Sequence, residues 1–302
     1  MFSIINSFYI KKNNGYQSLI GSALAFSLMS VCVKKLDGNI PVAEIVFFRA
    51  VISLLITYFQ IRIENLNPWG HNKKLLLIRG LFGTLALYCV FRAISKLPIS
   101  SATIIQYCYP TFTAIGASLI LKECIKKKIW LAIGLGWAGI CLVVQPSWEE
   151  NLRFKFTFTE ITIALAGAIL TSFAYLCVKE LSKKEHELTI IFYFPLVSVF
   201  LIIPFLFKNY IHPSTIEWIW IICIGLFTQI GQILITKGLS LLPASKAVSI
   251  NYIQVIFATV WGLLFFGEGI DFLTILGGIC ILVATIISLN PDKKYQIIKL
   301  QS

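Results

Sequence analysis

Histidine and aspartate are scarce in this sequence and avoid its apolar stretches. They fall in loops or at the ends of those stretches, at positions 71, 186 and 212 and at 37, 271 and 292. Intramembrane aspartyl chemistry needs paired carboxylates at depth, and Ser–His chemistry needs a histidine beside its nucleophile. No Gly-rich phosphate loop precedes a Lys-Ser/Thr pair either. These absences argue against a membrane-embedded enzyme and against an ATP-driven pump.

Paired cysteines are also lacking. The chain has 8 cysteines, most of them in apolar stretches, and none forms a Cys-x-x-Cys motif. Such cysteines are typical of small apolar packing residues. We therefore expect no disulfide, no metal site and no cofactor.

Long apolar runs, by contrast, recur along the whole chain, and 57% of its residues are hydrophobic. A helix of about 20 apolar residues can cross a hydrocarbon core of about 30 Å. Ten such runs predict an all-α polytopic membrane protein, at roughly 16–35, 41–61, 75–95, 99–121, 128–146, 159–179, 187–207, 217–236, 244–266 and 271–289.

The basic residues are distributed unevenly between the two sides of these predicted spans. Lysine and arginine number 26 against 14 acidic residues. If the N-terminus is inside, most of the basic residues fall in inside loops, as the positive-inside rule requires. This count places Arg79 with the inside charges and leaves Arg49 as the one charge deep in a span. The basic excess therefore reflects topology, and we expect both termini to be cytoplasmic and nucleic acid not to be a partner.

An eight-residue motif occurs twice. Residues 95–102 read SKLPISSA and residues 240–247 read SLLPASKA, 145 residues later. The same shift aligns Gly80-Leu81-Phe82 with Gly225-Leu226-Phe227. The proline fits the first turn of a helix, so each motif also predicts a tight hairpin. The sequence thus predicts an internal duplication of five spans.

Five is an odd number, so the second copy must start on the opposite side of the membrane. We expect two inverted five-helix repeats, residues 1–146 and 159–302, joined by an external linker at 147–158. The first motif would lie outside and the second inside. Inverted repeats are common in secondary transporters, where the two halves exchange conformations around a midplane site.

Residues 91–123, FRAISKLPISSATIIQYCYPTFTAIGASLILKE, precede a glycine-rich span, GLGWAGICLVV. This order resembles the EamA-type domain of the drug/metabolite transporter superfamily, and it repeats in the second half. The resemblance implies ten helices, inverted halves, a central cavity and carriage of small organic metabolites. Residues 79–98 are also similar to bacterial carriers for S-adenosylmethionine or riboflavin.

Polar residues inside spans should face a cavity or another helix. Gln106, Tyr109, Thr113 and Gly116 fall on one face of the fourth span if it is a continuous helix. The duplication aligns this face with Asn251, Gln254, Ala258 and Trp261 of the ninth span. The candidate substrate-binding residues are Gln106, Tyr107, Tyr109, Asn251, Tyr252, Gln254, Trp261, Arg49, Gln229 and Gln232. The alternative for each is a polar contact between helices.

Pro110 predicts a kink beside Gln106, whereas Val255 at the equivalent position leaves a matching kink in the ninth span open. Glu123 and Glu268 end their spans and are candidates for gating contacts or solvated helix ends. Arg49 either contacts an acceptor group of the substrate or locks two helices together.

These patterns favour a secondary transporter in the cell membrane that works by alternating access without a cofactor. The alternatives are a channel or a receptor-like scaffold, with an enzyme the least favoured. The substrate would be a small solute of amino-acid, nucleoside, S-adenosylmethionine or riboflavin type. The small residues of the fifth span favour close helix packing, and the sequence leaves open whether this packing is internal or forms a homodimer.

Overall fold

The computed structural model describes residues 2–36, 39–96, 105–123, 125–144, 158–206, 210–266 and 272–289. Within these ranges the chain is helical, with short connections and no strand. The helices are α1 (Phe2–Lys35), α2 (Val42–Ile63), α3 (Lys73–Lys96), α4 (Tyr109–Leu119), α5 (Lys127–Val144), α6 (Phe158–Leu181), α7 (Glu187–Leu206), α8 (Thr215–Leu241), α9 (Ala244–Ile250), α10 (Ile253–Phe266) and α11 (Phe272–Leu289).

Seven segments are long and apolar enough to cross a membrane. They comprise 14–35 in α1, all of α2, α3, α7 and α8, most of α6, and the combined α9–α10 segment, 244–266. The other predicted spans, 99–121, 128–146 and 271–289, overlap α4, α5 and α11 but extend beyond the described residues. The all-helical membrane class is confirmed, and the count of ten spans stays a prediction. Large apolar side chains such as Phe59, Phe200 and Ile216 are exposed, as a lipid-facing surface requires.

The helices pack in a pattern that respects the 145-residue shift. The shift relates α1 to α6 and α3 to α8, and α1 packs along α8 just as α6 packs along α3. Helices α2 and α7 are counterparts and pack on each other, as do the counterparts α5 and α11. The packing pattern is therefore preserved when the two halves are exchanged.

Two helix breaks lie within one residue of equivalent positions. Tyr107 and Cys108 form a turn before α4, and Asn251 and Tyr252 form a turn between α9 and α10. Pro110 in the first turn of α4 accounts for the first break. The second break has no such proline. There the Tyr107 hydroxyl donates to the carbonyl of Asn251 at 3.1 Å, so a contact from the other half stabilises the turn.

Carboxylates join the helix ends on each side of the molecule. Glu185, in the α6–α7 turn, accepts from the backbone N–H groups of His71 and Asn72, just before α3, at 2.8 and 2.6 Å. Glu44, in the first turn of α2, accepts from the N–H of Ile211 before α8 at 2.8 Å. The start of α3 is thus fixed to the α6–α7 turn, and the approach to α8 is fixed to the start of α2.

Candidate functional site

A cavity of about 130 Å³ lies at the centre of the molecule. Helices α1 and α3 and the break before α4 contribute its lining from the first half, and α6, α7, α8 and α10 contribute it from the second half. Since both halves form the walls, a movement of one half against the other would change the shape of the cavity.

Amides and hydroxyls from several helices converge on the cavity. Gln106 lines it and donates to the Thr171 hydroxyl at 3.1 Å. Gln232, Gln254 and Thr228 lie in the same wall. An amide carries both donors and acceptors, so these groups can bind polar parts of a solute without requiring a charge.

Aromatic rings form much of the remaining wall. Tyr107 and Tyr109 line the cavity and are 2% and 4% exposed, so the helix break brings both rings inward. The ring of Tyr109 meets the edge of Tyr175 with centroids 5.5 Å apart. Apolar faces beside a few fixed polar groups are typical of small-molecule sites.

Among the described residues that line the cavity, Arg79 is the one with a charged side chain, and it is only 2% exposed. Its Nη2 donates to Oε1 of Gln232 at 3.1 Å. Counting Arg79 with the cytoplasmic charges was therefore wrong, as was treating Arg49 as the one charge deep in a span. The signal was present in the sequence, because Arg79 falls within the predicted third span. An arginine at the centre of a span costs about 2.5–3.5 kcal/mol on insertion scales.

Phe194 brings the two arginines together. The guanidinium carbon of Arg79 lies 4.4 Å from the centroid of its ring, and that of Arg49 lies 4.6 Å from the same centroid. Cation–π contacts of this kind stabilise a buried guanidinium more than contact with an aliphatic wall would. Phe194 also lines the cavity, and it was missed by sequence reasoning because an apolar ring carries no polar signal.

Gly83 makes room for this arrangement. A Cβ at Gly83 would lie 2.3 Å from Nη1 of Arg79 and 3.0 Å from the Phe194 ring. Any larger residue would therefore have to displace the guanidinium. One turn earlier on α3, Gly80 faces the Val197 side chain in the same way, which allows α3 and α7 to approach closely.

Five other candidate residues do not line the cavity in this structure. Arg49 is fully buried behind Phe194. Gln229 donates to Thr57 at 2.8 Å, and Trp261 donates to Ser27 at 2.9 Å, so both bridge helices. Asn251 and Tyr252 are buried at the second helix break.

The expectation of one continuous polar face in the fourth span was wrong. The turn at 107–108 interrupts the helix between Gln106 and Tyr109, although both residues line the cavity. Thr113 donates back to the carbonyl of Tyr109, and Gly116 packs against Leu176 instead of the cavity. In the second half, Gln254 and Ala258 both line the cavity.

The candidate gating residue Glu123 lies away from the cavity, at the end of α4. Its carboxylate accepts from the N–H of Ala244 at 3.0 Å and from the Ser245 hydroxyl at 3.3 Å, at the start of α9. Nearby, Lys179 donates to the carbonyls of Leu239 and Leu242. We call this group the α4–α9 clasp: Glu123, Ala244, Ser245 and Lys179. The other candidate, Glu268, lies outside the described residues, as does most of the SKLPISSA motif.

Comparison with known proteins places this arrangement in a family. The profile of the EamA-like transporter family matches twice, over residues 13–145 and 158–290. The chain belongs to the EamA-like transporter family. The resemblance seen in the sequence is thus confirmed, and the chain is a multi-pass integral membrane protein of a transporter family.

Relatives in this family carry chemically different solutes. The pseudopaline exporter CntI of Pseudomonas aeruginosa is 31% identical over 276 residues, covering 90% of this chain and 94% of the exporter. The S-adenosylmethionine uptake transporter of Rickettsia prowazekii is 24% identical, covering 93% and 94%. One relative is named for export and the other for uptake, so membership of the family does not set the direction of transport.

The fold recurs in a solved structure. A crystal structure matches with a TM-score of 0.74 over 93% of this chain and 96% of that one, at 13% sequence identity. At this identity the match supports the fold alone.

Proposed function

We infer that the protein is a secondary transporter that carries a small organic metabolite through the central cavity by alternating access. The observation that carries this inference is the cavity itself, which both halves line, at the helix break before α4 in the first half and just after the α9–α10 break in the second. Broken helices at the junction of two repeats are the usual site of substrate binding in such carriers.

The contacts at the helix ends support inverted halves. Glu185 fixes the α6–α7 turn beside the start of α3. The counterpart of the α6–α7 turn in the first half is the α1–α2 turn. That turn lies at one end of α2, whereas the start of α3 follows the other end of α2. The two counterpart turns therefore lie at opposite ends of the helices, as expected of an inverted repeat with an external linker at 147–158.

A labelling experiment tests this topology. In a cysteine-free background, a cysteine placed at Ser95 should react with an impermeant thiol reagent from outside, and one at Ser240 from inside. Labelling of both from the same side would contradict the inverted arrangement in the cell membrane with cytoplasmic termini.

Transport itself is testable without knowing the substrate. Purified protein is reconstituted into liposomes loaded with a polar metabolite extract of bacterial cells, and the released compounds are identified by mass spectrometry. Specific compounds should leave faster than from protein-free liposomes. Their flux should saturate and should increase when the same compound is supplied outside, because a carrier exchanges substrate. Release that neither saturates nor responds to external substrate would indicate a channel.

A further inference from the structure

The two buried arginines lack an anionic partner among the described residues. Neither Nε nor Nη1 of Arg79 has a hydrogen-bond partner, and none of the three guanidinium nitrogens of Arg49 has one. The ion pairs that the structure describes involve other residues: His71 with Glu185, Lys183 with Glu180, and His186 with Glu64. Two positive charges beside one ring are thus left without a compensating charge.

A purely structural role does not explain these unused donors. A guanidinium that locks two helices satisfies its N–H groups with carbonyls or carboxylates, because buried unpaired donors are costly. Arg79 lines the cavity and uses one nitrogen, toward Gln232, while its buried Nε and Nη1 have no partner. Unpaired cationic donors at the edge of a cavity are suited to an anionic ligand.

The other residues that line the cavity also favour an anionic solute. Among the described residues, no aspartate or glutamate lines the cavity. A solute with a net positive charge would therefore find repulsion and no counter-charge. A planar guanidinium binds carboxylate and phosphate oxygens in a forked geometry, and the neighbouring amides can bind the uncharged polar groups of the same solute.

We propose that the substrate is a small organic anion, and that Arg79 binds its carboxylate or phosphate group while Arg49, behind Phe194, adds a second positive charge. This inference rests on the proposed transport function and specifies its substrate class. The two arginines repel each other until the anion arrives, so binding of the anion should stabilise the protein.

The liposome assay separates the two proposals. Release of compounds with a net negative charge at pH 7 is expected, and their identity distinguishes carboxylates from phosphates. Release of only neutral or positively charged compounds would overturn the anion proposal and leave transport standing. Release no greater than from protein-free liposomes would overturn the transport function, and the anion proposal with it.

Variants of Arg79 add a second measure. Arg79→Gln should slow release of the anions by about tenfold or more, because a charged hydrogen-bond donor is lost, and Arg79→Lys should retain more of the rate. Arg92→Gln is the matched control, since Arg92 lies on the same helix and is exposed, and it should release the anions at the parent rate. Equal rates in the parent and Arg79→Gln would overturn the proposal. If Arg79→Gln does not fold, the charge of the compounds that the parent releases still decides whether the substrate is an anion.

Discussion

Replacing Glu123 with glutamine should shift the protein toward a state in which the α4–α9 clasp is open. The carboxylate binds the N–H of Ala244 and the hydroxyl of Ser245, and these bonds join the end of α4 to the start of α9. In the proposed topology, this junction lies on the cytoplasmic side. If alternating access separates the halves there, the clasp must break whenever the cavity opens inward.

The size of the shift follows from the contacts. Hydrogen bonds to a charged group contribute about 1.5–3 kcal/mol each when buried. The clasp is only partly buried, and glutamine retains one acceptor oxygen, so we take about 1.5 kcal/mol for the whole change. That free energy corresponds to about a tenfold increase in the ratio of inward-open to inward-closed molecules.

The assay is the labelling rate of a single cysteine at Ala247, which is fully buried behind the clasp. In a cysteine-free background, Glu123→Gln should raise its rate of reaction with a cytoplasmic thiol reagent by about tenfold if labelling follows the open population. The control is Glu180→Gln, which removes a carboxylate paired with Lys183 at the surface and should leave the rate unchanged. An unchanged rate in Glu123→Gln, with normal folding, would refute the role of the clasp in closing the cytoplasmic side.

Three further predictions concern the cavity, the break and the loops. Gly83→Ala should impair transport in the liposome assay because its Cβ would displace the Arg79 guanidinium, whereas Gly134→Ala, with open space around its Cβ, should not; equal activity would contradict this reading. Tyr107→Phe removes the hydroxyl donated across the second helix break, so its thermal unfolding temperature should fall, by an amount equivalent to about 1 kcal/mol; an unchanged temperature would show that the turn does not need this bond. Burial raises the pKa of Glu185, but hydrogen bonds from the N–H groups of residues 72 and 71 outweigh it and hold the pKa below its ordinary value of 4.5. The ionised carboxyl therefore stabilises the fold above that value, and this stability is lost as the pH falls through the lowered pKa. Glu185→Gln should unfold at a lower temperature than the parent at pH 7, and the gap should close below about pH 4.5; a gap that persists in acid would show that the charge is not the cause.

Much of the wall of the cavity could be predicted from sequence. The candidates Gln106, Tyr107, Tyr109, Gln232 and Gln254 all line it, because polar residues in apolar spans have few other places to lie. The same argument cannot separate a cavity wall from a contact between helices. Gln229 and Trp261 carry the same signal and bridge helices in this structure.

One feature had no signal in the sequence, and another had a signal that was overlooked. The break at residues 251–252 has no proline to mark it, and it depends on a hydroxyl donated by Tyr107 from the other half. Arg79 was assigned to one side of the membrane because a count of charges by loop ignores how deep a residue near a span end lies. Its burial results from Phe194 and Gln232, which come from the second half of the chain.

The pair of Arg49 and Phe194 has a consequence for how such a protein can evolve. The duplication aligns these two positions, so a shorter ancestor with a single copy would have held one residue type at both. A symmetric dimer of that ancestor would have carried either two arginines or two phenylalanines there, and neither pair reproduces a cation resting on a ring. Once one copy had become the cation and the other the ring, the halves were no longer interchangeable. A single chain that holds both copies supplies one arginine and one phenylalanine to every molecule, which a dimer of identical chains cannot do.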